Sequence, residues 1–115
     1  MKFWTSIGII SKAAGADYVK RYEDKYGAGT MAPQGGHLWD AVLVLQRAVP
    51  VALKKARSGT AEFRQALRDA VESEKGVVAT HGVLNMSPAD HFGHDERARV
   101  LLRVENGAYK LISAK

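Results

Sequence analysis

The run GHLWDAVLVLQRAVPVALKKAR, Gly36–Arg57, limits what this chain can become more than any other stretch. Leu38, Val42, Leu45 and Val49 recur at helical spacing, with Trp39, Leu43 and Leu53 beside them, so the helix they predict is apolar over well more than half its circumference. A helix of that kind has to be covered on several sides. Gly35-Gly36 is expected to open it, and Lys54, Lys55 and Arg57 to fill its last turn, where cations meet the negative end of the helix dipole. Pro50 falls inside the pattern, lacks a backbone donor and crowds the carbonyl of Gln46, which predicts a kink or short break there. Packing, not catalysis, is the chemistry of this element.

The flanking segments read as smaller elements around it. Ala14–Tyr26 predicts a helix with Asp17 near its positive end, a buried stripe of Val19, Tyr22 and Tyr26 flanked by Tyr18, and Gly27 as a left-handed cap. A loop rich in Gly, Pro and Thr, Gly27–Gly36, leads into the central helix. Thr60 is the expected N-cap of a third helix with Glu62 in its first turn. Phe63, Leu67, Ala70 and Val71 form its apolar face, Arg64, Arg68, Asp69 and Glu72 lie outside, and it ends near Ser73. After Lys75-Gly76 the period becomes extended, with Val77, Val78, Thr80, Val83 and Leu84 reading as strand interrupted by Gly82. Ser87–Asp95 is a polar turn region. Arg99–Val104 and Ala108–Ile112, joined through Asn106-Gly107, predict a β-hairpin. The fold class is α/β: three helices, short strands and a C-terminal β-hairpin.

Composition narrows function mostly by exclusion. The 115 residues fit one domain. The net charge of +5 comes from Lys and Arg scattered among acids in runs of at most two, without the basic stripe and interleaved aromatics of a nucleic-acid reader. With no cysteine in the chain, disulfides, thiolate metal sites and cysteine nucleophiles are excluded together. The opening MKFWTSIGIISKAAGA echoes a secretory signal faintly, but its apolar part is short and Lys12 interrupts it, so a strand through Phe3–Ile10 is the preferred reading. No stretch reaches the roughly 18 apolar residues of a membrane span. His81, Asp90, His91, His94 and Asp95 offer imidazoles and carboxylates to a divalent ion. Against that stands a solvated turn in which Asp90 and Asp95 accept from local amides. Asp40 is a plausible acid with no evident partner in sequence, and no nucleophile–base pattern or phosphate loop occurs, so the chain is not expected to be an enzyme or to carry a cofactor.

Six segments together carry a resemblance. DYVKRYEDKYG (Asp17–Gly27), HLWDAVLVL (His37–Leu45), AVPVALKK (Ala48–Lys55), GTAEFRQALRDA (Gly59–Ala70), VVATHGVLNMS (Val77–Ser87) and RVLLRVENGAYKLI (Arg99–Ile112) are similar, in order and spacing, to the C-terminal part of ABC-transporter solute-binding proteins of the branched-chain amino-acid type. The similarity covers residues 17–115, while Met1–Ala16 departs from the family. It implies a fragment of a two-lobe type I periplasmic-binding-protein fold, found outside the cytoplasm, whose whole members are about three times longer, bind an amino acid or small carboxylate between the lobes, and serve a membrane permease. A segment of this kind is not expected to complete the ligand cleft by itself. By position, the resemblance points Gln34, where relatives often carry an aromatic, and His37 toward that cleft. It also implies that the central helix and the hairpin lack the sheet and strands they normally pack on, so a homodimer covering Trp39, Val42, Leu45 and Val49 is expected. Two other readings stay open at this point: a self-associating structural fragment without a ligand, and a small metal- or anion-binding domain.

Overall fold

A computed structural model describes residues 12–114. Among them are three helices, α1 (Lys12–Tyr26), α2 (Pro33–Leu53) and α3 (Ala61–Glu72). Two short antiparallel strands follow, β1 (Val77–Ala79) and β2 (Gly82–Leu84). A 3-10 turn at Glu96–Ala98 then leads into a second antiparallel pair, β3 (Val100–Glu105) and β4 (Ala108–Ala114). The expected α/β order of three helices, short strands and a C-terminal hairpin is present. The strand expected at Phe3–Ile10 lies outside the described residues.

The central helix starts earlier than its apolar pattern suggests. Pro33 stands in its first turn, where a missing N–H costs nothing, so Gly35 and Gly36 lie inside the helix instead of opening it. Their role is close approach. A Cβ on Gly35 would fall on the Tyr18 hydroxyl, and one on Gly36 would lie 2.5 Å from His81 Cε1 and 2.9 Å from Thr80 Oγ1. The helix runs through Pro50 without a break. Pro50 and Gln46 are both exposed, so water can take the carbonyl that the proline leaves unpaired. Lys54, Lys55 and Arg57 fall beyond the helix end, where the amides of Lys55 and Ala56 close on the Ala52 carbonyl.

Around α2 the packing is built from small and β-branched side chains. The core joins Val44 of α2 to Val77, Ala79 and Leu84 of the first strand pair, with Leu43 and Val71 packed against it. The α2–α3 contact buries Ala48 and Ala52 on one helix and Ala66 and Ala70 on the other. Thr60 caps α3, its hydroxyl accepting from the Phe63 amide at 3.1 Å. On α1 it is Tyr18 that is buried, not Tyr26, which is exposed. The Tyr18 ring lies against Trp39 with centroids 5.7 Å apart, and that contact turns the helix about its axis relative to the expected stripe.

The residues read as one interrupted strand form a tight hairpin instead. Ala79 pairs with Gly82 across the two-residue turn Thr80-His81. Gly82 has φ +149, and a Cβ there would lie 3.1 Å from that of Ala98. The terminal hairpin turns at Asn106 (φ 52) and Gly107 (φ 74), the paired positive φ values of a type I′ turn. It leaves Leu101, Val104, Tyr109 and Ile112 exposed. Glu72, expected outside α3, is largely covered and pairs with His91 at 3.0 Å.

The tight seat of the first hairpin on α2 generates a prediction. Gly36→Ala gains up to about 1 kcal/mol of helix propensity but forces the Thr80-His81 turn outward at a cost of about 1–3 kcal/mol. A net loss of roughly 1 kcal/mol should appear in urea melts, whereas Gly59→Ala, strained by φ +86 but with nothing near its Cβ, should leave the His81 environment unchanged by NMR.

Candidate functional site

The site forms where the first turns of α2 meet the tip of the β1–β2 hairpin. His37 and Asp40 are three residues apart and so share one face of α2. Burial of Gly36 and the absence of its side chain let Thr80 and His81 come down onto that face. The His37 and His81 rings stack in parallel, centroids 3.9 Å apart and planes 12° apart. His37 is exposed, Asp40 is buried and His81 is half-buried.

Asp40 organises the contact. Its Oδ1 accepts from the Thr80 amide at 2.6 Å and its Oδ2 from the Thr80 hydroxyl at 2.9 Å. The His81 amide and Nδ1 stand 3.4 and 3.3 Å from the same Oδ2. Nδ1 is also 2.8 Å from the Thr80 hydroxyl, which as donor to the carboxylate can accept from the ring in turn. Burial by itself would raise the Asp40 carboxyl, but the bonds from His81, the Thr80 amide and the Thr80 hydroxyl outweigh it and hold the group below the usual carboxylate range. The His37 imidazole is lowered as well, by partial desolvation and by the neighbouring His81, against a smaller attraction from Asp40, and for a base that disfavours the charged form.

The remaining polar residues singled out in the sequence are occupied elsewhere. Asp90 accepts from the Phe92 and Gly93 amides at 2.9 and 3.2 Å. Asp95 caps the 3-10 turn and pairs with Arg97 at 2.6 Å. His91 is on Glu72, and His94 Nδ1 lies 3.1 Å from the Phe92 carbonyl. Of that constellation, only His81 joins the site. Gln34 is exposed in the first turn of α2. Of the residues expected in assembly, Trp39 is half-covered by Tyr18 and Val49 is half-buried, while Val42 and Leu45 are exposed. The Asp40–Thr80 link could not be found from sequence spacing, since 40 residues separate the partners.

The described chain resembles one segment of several extracellular ligand-binding receptors of solved structure. One from Rhodopseudomonas palustris is 47% identical over 92% of this chain and 30% of its own, with a TM-score of 0.78. A second, from Rhodopseudomonas palustris HaA2, is 42% identical over the same shares, with a TM-score of 0.79. A third from that strain is 40% identical over 85% of this chain and 27% of its own, with a TM-score of 0.67. This chain therefore spans under a third of the receptors it matches. No protein-family model matches it, and neither does any curated protein. No described helix is long and apolar enough to cross a membrane. The α/β arrangement of three helices and two antiparallel strand pairs is that of a fragment of an extracellular ligand-binding receptor.

Asp40 also fixes how stability depends on pH. Because its folded-state pKa is depressed, the stabilisation it gives is fully present above the unfolded value near 3.9 and is lost as pH falls through the folded one. Asp40→Asn should lower stability at pH 7 by about 1–3 kcal/mol and flatten that part of the acid limb. Urea melts between pH 7 and pH 3 on both proteins provide the measurement, and identical acid limbs would refute the assignment.

Proposed function

We propose that this chain acts as the C-terminal segment of an extracytoplasmic solute-binding protein for ABC-type import of amino acids or related small carboxylates. It would supply one wall of a cleft that it does not complete. The observation that supports this most is the 47% identity to a ligand-binding receptor across nearly the whole of this chain but 30% of the receptor. Binding, not turnover, is the chemistry that the first turns of α2 suit. Gln34 and His37 stand exposed there, beside backbone amides whose partial positive charge favours a carboxylate. The whole receptor's permease is the partner this reading implies.

A cleft between two lobes buries most of a small ligand, and one wall does not. The 115-residue chain should therefore bind amino acids and aromatic or aliphatic carboxylates with Kd above about 1 mM, whereas transplanting it in place of the matching segment of the Rhodopseudomonas palustris receptor should give a folded chimera with Kd on the order of micromolar. Calorimetric titration of both with the same ligand panel is the test. Tight binding by the chain alone, or a folded chimera that binds nothing the parent receptor binds, would overturn the proposal.

The apolar stripe on α2 favours an accompanying reading of assembly. Leu38 and Val42 are 74% and 47% exposed, and Leu45 and Leu53 are exposed on the same side. Within a receptor of the matched kind its other segments would cover this stripe, and in the 115-residue chain a second copy would do so. Light scattering at increasing concentration should show dimers. Val42→Asp should dissociate or unfold them, and Arg64→Asp on the polar face of α3 should leave them intact.

A further inference from the structure

We propose that His37, Asp40 and His81 form a binding site for a divalent transition metal ion, of the zinc, cobalt or nickel class, that pins the start of α2 to the tip of the β1–β2 hairpin. Each of the three residues offers one ligand atom, and these atoms all lie within 4.8 Å of one another. Donors at about 2.1 Å around a tetrahedral ion stand roughly 3.4 Å apart, so the widest pair has to close by about an ångström or slightly more. His37 is the member able to make that movement, because it is exposed and its ring is tied by no hydrogen bond among the described residues.

The donor set selects the class of ion. Two imidazoles and one carboxylate suit zinc and its first-row neighbours, whereas calcium and magnesium require mostly oxygen. Three protein ligands leave at least one position to water or to another donor. The surroundings resemble a prepared site. Asp40 is held by the Thr80 amide and hydroxyl, the kind of outer contacts that orient a ligating carboxylate. Its Oδ1 accepts a single hydrogen bond among the described residues, from Thr80, and keeps a further lone pair for an ion.

His37 is the member of the cluster with no part in the hydrogen bonds of the helix–hairpin contact. Asp40 and His81 are tied into the helix–hairpin contact, but the His37 ring makes no hydrogen bond among the described residues and its one ring contact is the stack on His81. Two imidazoles face to face beside a carboxylate bring together three groups of one metal-ligating class.

The test uses the 115-residue chain, stripped of metal with chelator and titrated calorimetrically with Zn²⁺ at pH 7.5. One equivalent should bind with a Kd on the order of micromolar or tighter. His37→Ala, at an exposed position, should weaken binding by at least about tenfold, and His91→Ala should leave it unchanged. A parallel titration of the unaltered chain with Co²⁺ should shift and broaden the imidazole resonances of His37 and His81 in the NMR spectrum before those of His91 and His94. Absence of saturable binding, retention of full affinity in a folded His37→Ala protein, or a Co²⁺ response centred on His91 and His94 would each overturn the proposal.

Discussion

One buried carboxylate ties the two halves of the described body together. Asp40 reaches from α2 to the turn of a hairpin 40 residues away and receives both the amide and the hydroxyl of Thr80. Removing such an acceptor strands a buried amide, a cost of about 1–3 kcal/mol. Much of the neighbouring sequence follows from that contact. The hairpin tip lies so close to the helix that position 36 has no room for a side chain. With strands of three residues each, the hairpin would be marginal in isolation, so its anchorage to α2 through Asp40, Val44 and Leu43 is what makes it a stable element. A second tie runs nearby from Arg47 to the buried Glu74 at 2.7 Å, fixing the segment that enters β1.

The contrast between this anchored region and the rest is the main clue to biological context. Val44, Ala48 and Ala52 are buried on one side of α2, while Leu38, Val42, Leu45 and Leu53 on another meet water. Each half-exposed aliphatic side chain forgoes about 1 kcal/mol of burial, a loss comparable in sum to the stability of a small domain. The β3–β4 hairpin repeats the pattern, with apolar side chains exposed on it, and among the described residues its two strands pair only with each other. The receptors of matching structure are more than three times as long as the segment they share with this chain, and apolar surface of this kind is what a neighbouring part of such a structure would cover.

Local signals were legible in the sequence and distant ones were not. The Thr60 cap and the Asn106-Gly107 turn each depend on a few adjacent residues, and both stand where their chemistry predicts. The ends of α2 were displaced because a glycine pair reads as a helix start by propensity, whereas here tertiary contacts with Tyr18 and His81 need the missing side chains within the helix. The same contacts explain why Tyr18, not Tyr26, is buried: partners on α2 decide which face of α1 turns inward. The Thr80-His81 turn is hidden in the sequence because Thr80 and the flanking Val77, Val78 and Val83 favour strand, and Gly82 suits an interruption equally well. Nothing in the chain announces that His37 and His81, 44 positions apart, stack on each other.

The candidate site separates into residues the fold requires and one it does not. Thr80 and Gly36 are explained by the helix–hairpin contact, and Asp40 is fixed by that same contact through the Thr80 amide and hydroxyl. His81 belongs to both groups, since its amide and Nδ1 face Asp40 while its ring forms one side of the stack. His37 alone is exposed and absent from the hydrogen bonds among the described residues. Partial desolvation and His81 both disfavour its protonated form. A fold that needed only a helix start there would be served as well by Gln or Lys. What this corner holds is an imidazole stacked on a second imidazole, beside a carboxylate fixed by the Thr80 amide and hydroxyl.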